Sequence, residues 1–246
     1  MLLRREVALL AVAAAGVSYP PVLTSPSPRE LGQISYLDLE PPSSALKRVV
    51  LVRHGRTVLN SLGLPQGGLD APLDSVGKSQ AAALGLILAE GPSVAVVGSS
   101  PRLRAIQTAD AIAAAVSRRR EESRVDLDEV PDYIAGDPTF QYVDTRLRAY
   151  GVFRQLPRAL QAGEVGVWVS HGRFLRVCLA NAAAEEAKGT RGAGFLDEWK
   201  EAFPPGFKLE NTAISVVDVS EGGALCLRCV NSVAHLGGGR RVARDG

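Results

Sequence analysis

The 246-residue chain is poor in the residues that mark several protein classes. Three cysteines are too few for a disulfide framework to replace a hydrophobic core. Charge of neither sign prevails, since 28 Lys and Arg against 26 Asp and Glu leave +2 and a pI near 8.5. A dedicated nucleic-acid binder carries a stronger basic field, so no nucleic-acid partner is expected. The apolar run at residues 7–17 falls short of the ~20 residues that cross a bilayer, and no stable membrane span is expected. There is no internal repeat, and no low-complexity tract beyond a general richness in alanine. Histidine is scarce too, with three in the whole chain. What remains, 46% hydrophobic and 22% charged residues, is the composition of a globular protein of one domain with appendages.

The chain opens with Arg4-Arg5-Glu6, then the short apolar run, then small residues from Ala13 to Gly16. That layout predicts a cleavable targeting segment for an organelle or secretory route, and the paired arginines resemble a twin-arginine signal. A retained N-terminal helix on a cytoplasmic protein is the alternative. Six of the fifteen prolines fall between Tyr19 and Ser44. Proline removes donors and fixes φ, so this stretch is expected to be a linker, with the folded domain starting near Lys47. The expected organisation is a targeting segment and linker over 1–45, one domain over 46–235, and a flexible tail over 236–246.

Arg48 to Val52 is a β-branched apolar run, the pattern of a strand buried on both faces. Further strands are expected at Val94–Val97, Val125–Leu127, Val165–Val169, Ala213–Val219 and Leu225–Val230. Helices are expected at Ser75–Glu90, from a Ser100 cap with Pro101 to about Arg118, at Thr145–Gln161 and at Phe174–Ala187. Strands alternating with helices predict a three-layer α/β/α sandwich with a mainly parallel central sheet, whose ligands bind beyond the carboxyl ends of the strands.

Two strand ends there are alike. Arg53-His54-Gly55 follows the first strand and Ser170-His171-Gly172 follows the third, while Ser100-Pro101-Arg102-Leu103-Arg104 follows the second. Imidazole is a nucleophile and proton carrier near neutral pH, and guanidinium binds phosphate oxygens in pairs. Two histidines and at least two arginines in one crevice point to a phosphate pocket with a histidine nucleophile. His235, in a Gly-rich tail, is expected at the surface, and nothing supplies a metal's third and fourth ligands, so no metal is expected. Cys226 and Cys229 have redox or zinc spacing. On a strand they point to opposite faces, and no second pair completes a site. The runs at Arg118–Arg120 and Arg240-Arg241 are taken as solvated ends.

The stretch Leu51-Val-Arg-His-Gly-Arg-Thr-Val-Leu-Asn60 resembles the signature of the histidine phosphatase superfamily, the phosphoglycerate mutase-like family. The likeness continues through Gln66-Gly-Gly-Leu-Asp-Ala-Pro-Leu73, Gly77 and Gln80. Ser100 to Ala109, Val169 to Arg176 and Glu210 to Ser215 follow in the family's order. The resemblance implies that His54 takes the phosphoryl group and that Arg53, Arg104 and a cationic His171 hold its oxygens. Asn60 and Gln66 would add pocket donors. Glu129, in a Leu-x-Glu pattern, would be the general acid and base, with Asp128 and Asp132 as neighbouring carboxylates that could take that role. Tyr133 stands where the family usually has glycine.

No cofactor is implied, and the substrate would be a small phosphorylated molecule or a phosphoprotein. About 35 residues separate Glu129 from the third strand, shorter than the mutases' covering insertions, so hydrolysis is favoured over a mutase reaction. A non-catalytic phospho-ligand binder is the other alternative. Tyr133, Phe140 and Tyr142 are candidates for the substrate side.

Overall fold

The computed structural model describes residues 26–66, 69–118, 120–122, 124–129 and 138–237. In chain order its elements are α1 (Pro28–Leu31), β1 (Leu46–Arg53), α2 (Val58–Ser61), α3 (Ser75–Glu90), β2 (Val94–Ser99), α4 (Leu103–Ala115) and α5 (Pro138–Gln155). There follow β3 (Val165–Ser170), α6 (Gly172–Glu186), α7 (Ala193–Ala202), β4 (Ile214–Ser220) and β5 (Leu225–Ser232). The five strands lie in the order β2-β3-β1-β4-β5. The β1–β3 and β2–β3 pairs are parallel and the β1–β4 and β4–β5 pairs antiparallel, so β4 alone runs against the others.

Side chains on a strand alternate between faces, and β1 uses both. Val49 and Leu51 enter the core that α5, α6 and α7 cover, with Val152, Phe174, Leu179 and Trp199. Val50 and Val52 enter the opposite core under α3 and α4, with Leu84, Leu88, Ala109 and Ile112. The result is the expected three-layer α/β/α sandwich. No helix among the described residues is long and apolar enough to cross a membrane.

Helix α3 occupies the expected residues, capped by Asp74, whose Oδ1 accepts the Gly77 N–H at 2.7 Å. Other boundaries differ. Helix α4 begins at Leu103, not Pro101; Arg102 takes the cap position, and the Ser100 hydroxyl faces His171 at 2.7 Å while accepting the Arg102 N–H at 3.3 Å. Val125–Leu127 is a 3-10 turn. Glu121 and Arg124 donate to the Val97 and Ser99 carbonyls of β2, and the chain then coils around an Arg124–Asp126 pair. Helix α5 spans Pro138–Gln155 where Thr145–Gln161 was expected. Proline suits its first position, while Pro157, which lacks a donor, falls in a separate 3-10 turn, Leu156–Ala159. Helix α7 had no counterpart in the sequence reading. Neither Arg118 nor Arg120 is merely solvated: they bond the Val94 carbonyl and Asp110.

The packing also reaches back beyond Lys47. Ser27 and Glu30 close a capping box on α1, and Ser35 with Asp38 does the same for the turn Tyr36–Asp38. Leu31 and Tyr36 are buried, one in each core. The targeting segment expected before residue 26 and the tail after 237 lie outside the described residues.

One polar device pins the middle of the sheet. Arg48 of β1 sits opposite Asp218 of β4, and its Nε and Nη2 reach the two carboxylate oxygens at 2.7 and 3.0 Å. Nη1 donates to the Glu40 carbonyl, and both side chains are at most 2% exposed. Removing one partner of such a pair strands a buried charge, so Arg48→Met should lower unfolding free energy by about 3–5 kcal/mol. Adding Asp218→Leu should recover most of that loss. Urea denaturation measures both, and equal stability of the single variant and wild type would refute the assignment.

Candidate active site

Three parallel strands end side by side. Register pairs Arg53 with Ser170 and Ser99 with Val169, so His54, His171 and Ser100 are the first residues beyond neighbouring strand ends. His54 N–H still bonds the Ser170 carbonyl at 3.0 Å, and Ser100 N–H the Val169 carbonyl at 2.9 Å.

The loop after His54 is held by side chains of α3 and α4. Thr108 Oγ1 accepts the Gly55 N–H and Gln80 Oε1 the Arg56 N–H, each at 3.0 Å. Asp74, the α3 cap, also pairs with Arg56 at 2.8 Å. Loop and helix meet backbone to backbone. A Cβ on Gly77 would lie 2.0 Å from the Arg56 carbonyl oxygen, and one on Gly55 would lie 2.7 Å from that of Gly77. Only glycine fits at either place.

His54 is 2% exposed, and its Nδ1 lies 2.8 Å from the Gly55 carbonyl oxygen. A carbonyl only accepts, so the proton is on Nδ1 and Nε2 keeps a bare lone pair. Burial first, then the Arg53 and Arg104 charges, push the imidazole well below the usual 6.5. His54 is therefore neutral, as the sequence suggested, but desolvation outranks like-charge repulsion as the cause.

The His171 ring centroid lies 5.2 Å from that of His54. Its Nε2 faces the Ser100 hydroxyl at 2.7 Å, while its buried Nδ1 has no partner among the described residues. Burial, then His54 and the arginines 104, 102 and 53, push this imidazole well below 6.5 too. Burial thus disfavours the cationic form of His171 that the sequence suggested. The Ser100 oxygen also lies 3.4 Å from Asp128 Oδ1, so imidazole, hydroxyl and carboxylate form one chain of polar contacts.

Arg53 donates to the Leu209 carbonyl, and its buried Nε has no partner among the described residues. Gly172, the first residue of α6, makes room for it, since a Cβ there would lie 3.2 Å from that Nε. Arg104 is fully buried and donates to the Leu69 carbonyl at 2.7 Å. Burial depresses both guanidiniums, and the Glu129 carboxylate is the leading charge that raises them back.

Asp128 is differently engaged. Arg102 grips both its oxygens at 2.8 Å, and its Oδ1 also accepts the Glu129 N–H at 2.7 Å. Asp132 and Tyr133 lie outside the described residues, as do the side chains of Phe140 and Tyr142. Asn60 and Gln66 turn their oxygens inward, Asn60 Oδ1 to Asn211 Nδ2 at 3.1 Å and Gln66 Oε1 to the Thr57 hydroxyl at 2.9 Å. The amide NH2 groups of both remain as donors.

The structure thus gathers His54, His171, Arg53, Arg104 and Glu129, with Asn60 and Gln66 on the adjoining loop. Sequence reasoning missed Ser100 as the partner of His171, and missed Asn211, whose Nδ2 reaches the His54 carbonyl at 3.0 Å. Both lie inside recognised motifs, which was the available signal. His235 is not at the surface: it is half-buried, with Nε2 2.9 Å from the Thr212 hydroxyl. Cys226 neighbours Glu186 of α6 while Cys229 joins the core under α3 and α4, so the two thiols do face opposite ways.

A mainly parallel sheet with paired histidines at adjacent strand ends defines the class: α/β proteins of the phosphoglycerate mutase-like type. Residues 49–131 match the family model of the histidine phosphatase superfamily, branch 1. A curated relative, glucosyl-3-phosphoglycerate phosphatase of Mycolicibacterium vanbaalenii, is 39% identical over 67 residues, which are 27% of this chain and 29% of the relative. The match therefore spans less than a third of that protein.

Among solved structures, phosphoglycerate mutase from Bacillus anthracis is 18% identical, with a TM-score of 0.61 over 80% of this chain and 98% of its own. Phosphoserine phosphatase from Entamoeba histolytica in complex with 3-phosphoglyceric acid is 21% identical, with a TM-score of 0.60 over 77% and 99%. At those identities the likeness is one of fold.

Proposed function

We propose that the chain is a phosphomonoester hydrolase working through a phosphohistidine on His54. The observation that carries this reading is the orientation of His54. Its Nδ1–H is bonded to the Gly55 carbonyl, and its bare Nε2 is buried among two arginines and His171. Arg53 and Arg104 match the charge of a phosphate dianion without recourse to a metal, and the first turn of α6 adds backbone donors. Nε2 attacks phosphorus, the ester oxygen departs, and Glu129 protonates it. The Glu129 carboxylate then takes a proton from the water that releases phosphate from His54. Asp128 is unsuited to that task because Arg102 holds both its oxygens.

Hydrolysis is favoured over a mutase reaction by the shortness of the interval between Glu129 and β3, about 35 residues. Helix α5 puts Ala149, Val152 and Phe153 into the core, and Leu156 follows them, so residues 149–156 are committed to packing. The substrate is a small phosphorylated molecule, in keeping with the ligands named for the relatives.

The full-length protein should hydrolyse p-nitrophenyl phosphate in the presence of EDTA. Glu129→Gln should slow turnover by about 10²–10⁴-fold for alkyl phosphates, whose leaving groups need the proton. It should slow turnover much less for p-nitrophenyl phosphate. Equal losses on both substrates would remove Glu129 from the acid role, and activity abolished by EDTA would overturn the metal-free route.

A further inference from the structure

The turn that leads into β4 is built around a strained residue. Thr212 has φ +59°, a conformation β-branched residues rarely adopt, and it is fully buried. Its N–H reaches the Arg53 carbonyl at 3.0 Å and that of His54 at 3.4 Å. Strain of this kind persists only where surrounding contacts enforce it.

The enforcing contacts come from the chain after β4. Asn231, at the end of β5, accepts the Glu210 N–H on Oδ1 at 2.7 Å. His235 lies on the 3-10 turn Ala234–Leu236, which packs against α3. The Thr212 hydroxyl gives its proton to the Asn211 carbonyl at 2.6 Å, so its lone pair receives Nε2–H of His235 at 2.9 Å. Burial keeps that ring neutral, with its pKa pushed down to about 4.

We propose that His235 is a positioning residue for the nucleophile: it holds Thr212 in the left-handed turn that clamps the Arg53 and His54 carbonyls. The turn that carries it is thereby part of the active-site scaffold, although it lies more than a hundred residues beyond the stretch that matches the family model. The proposal rests on the reading of His54 as the nucleophile.

In the full-length protein, His235→Ala should lower kcat by about tenfold with KM nearly unchanged, the scale of one lost orienting hydrogen bond. His235→Gln, whose amide can donate to the same hydroxyl, should recover most of it. Glycine adopts positive φ without strain. Against Thr212→Gly as reference, adding His235→Ala should therefore cost less than about twofold, the signature of coupled residues.

Wild-type kcat in His235→Ala beside a lowered melting temperature would overturn the proposal, as would a tenfold loss that persists in the Thr212→Gly background. Amide exchange followed by NMR reads the clamp without substrate, and the Thr212 N–H should exchange faster in His235→Ala. Unchanged exchange overturns the clamp. Faster exchange in a protein whose wild type turns over no phosphoester would uphold the clamp and fault the nucleophile assignment.

Discussion

His54→Ala is expected to lower kcat on the order of 10⁴-fold or more while leaving vanadate or phosphate binding measurable. The size follows from the absence of a substitute nucleophile. His171 is near enough, at 5.2 Å between ring centroids, but its Nε2 is engaged by the Ser100 hydroxyl at 2.7 Å. Arg53 and Arg104 are held by the Leu209 and Leu69 carbonyls, not by His54, so the anion pocket should survive the substitution.

Because alanine leaves a void in a buried position, His54→Asn should be assayed beside it; its side-chain amide can still donate to the Gly55 carbonyl. Both should fail to form the acid-labile phosphoenzyme seen by rapid quench in the wild type. Turnover above about a hundredth of wild type in a folded His54→Asn protein would contradict a covalent route through His54.

What the sequence made legible, and what it did not, divides along the range of the interactions. The β-branched apolar run Val49 to Val52 and the expected helix from Ser75 to Glu90 are local patterns, and the structure agrees with both. The strand-end residues were equally plain, since a buried strand followed by His-Gly fixes where the histidine stands. Helix α5 was misplaced because the reading ran a helix through Pro157, and α7 went unnoticed. The extended boundary at residues 26–45 escaped because proline was taken as the mark of a linker, whereas Leu31 and Tyr36 are anchored in the cores.

The charge of His171 depends on burial by segments distant in sequence. Thr212 and His235 are joined across 23 positions by one hydrogen bond that no motif records. Those are the features of the site that only packing reveals.

That same burial makes the fold sensitive to acid. His54 and His171 are both held well below 6.5 by desolvation first, so in the folded state they stay neutral where an unfolded chain would bind two protons. The unfolded state gains protons as pH falls through 6.5, and unfolding becomes easier. The stability these groups contribute is whole above pH 6.5 and drains away below it, by up to about 3 kcal/mol per pH unit for the pair, at 1.36 kcal/mol each.

His235, pushed down to about 4 by burial, adds a smaller share over the window from 6.5 to 4 because it is partly exposed. Urea melts at pH 7.5, 6.5, 5.5 and 4.5 should show a plateau and then a steep decline. Carboxylates contribute to any acid transition, so the decisive comparison is with His54→Asn/His171→Asn, whose decline between 6.5 and 5.5 should be markedly shallower. Parallel slopes in the two proteins would mean that the histidines are not neutral in the fold. Nε2 of His54 would then already be protonated and unable to take a phosphoryl group. Stability and mechanism therefore stand or fall on one property, the exclusion of water from two imidazoles at adjacent strand ends.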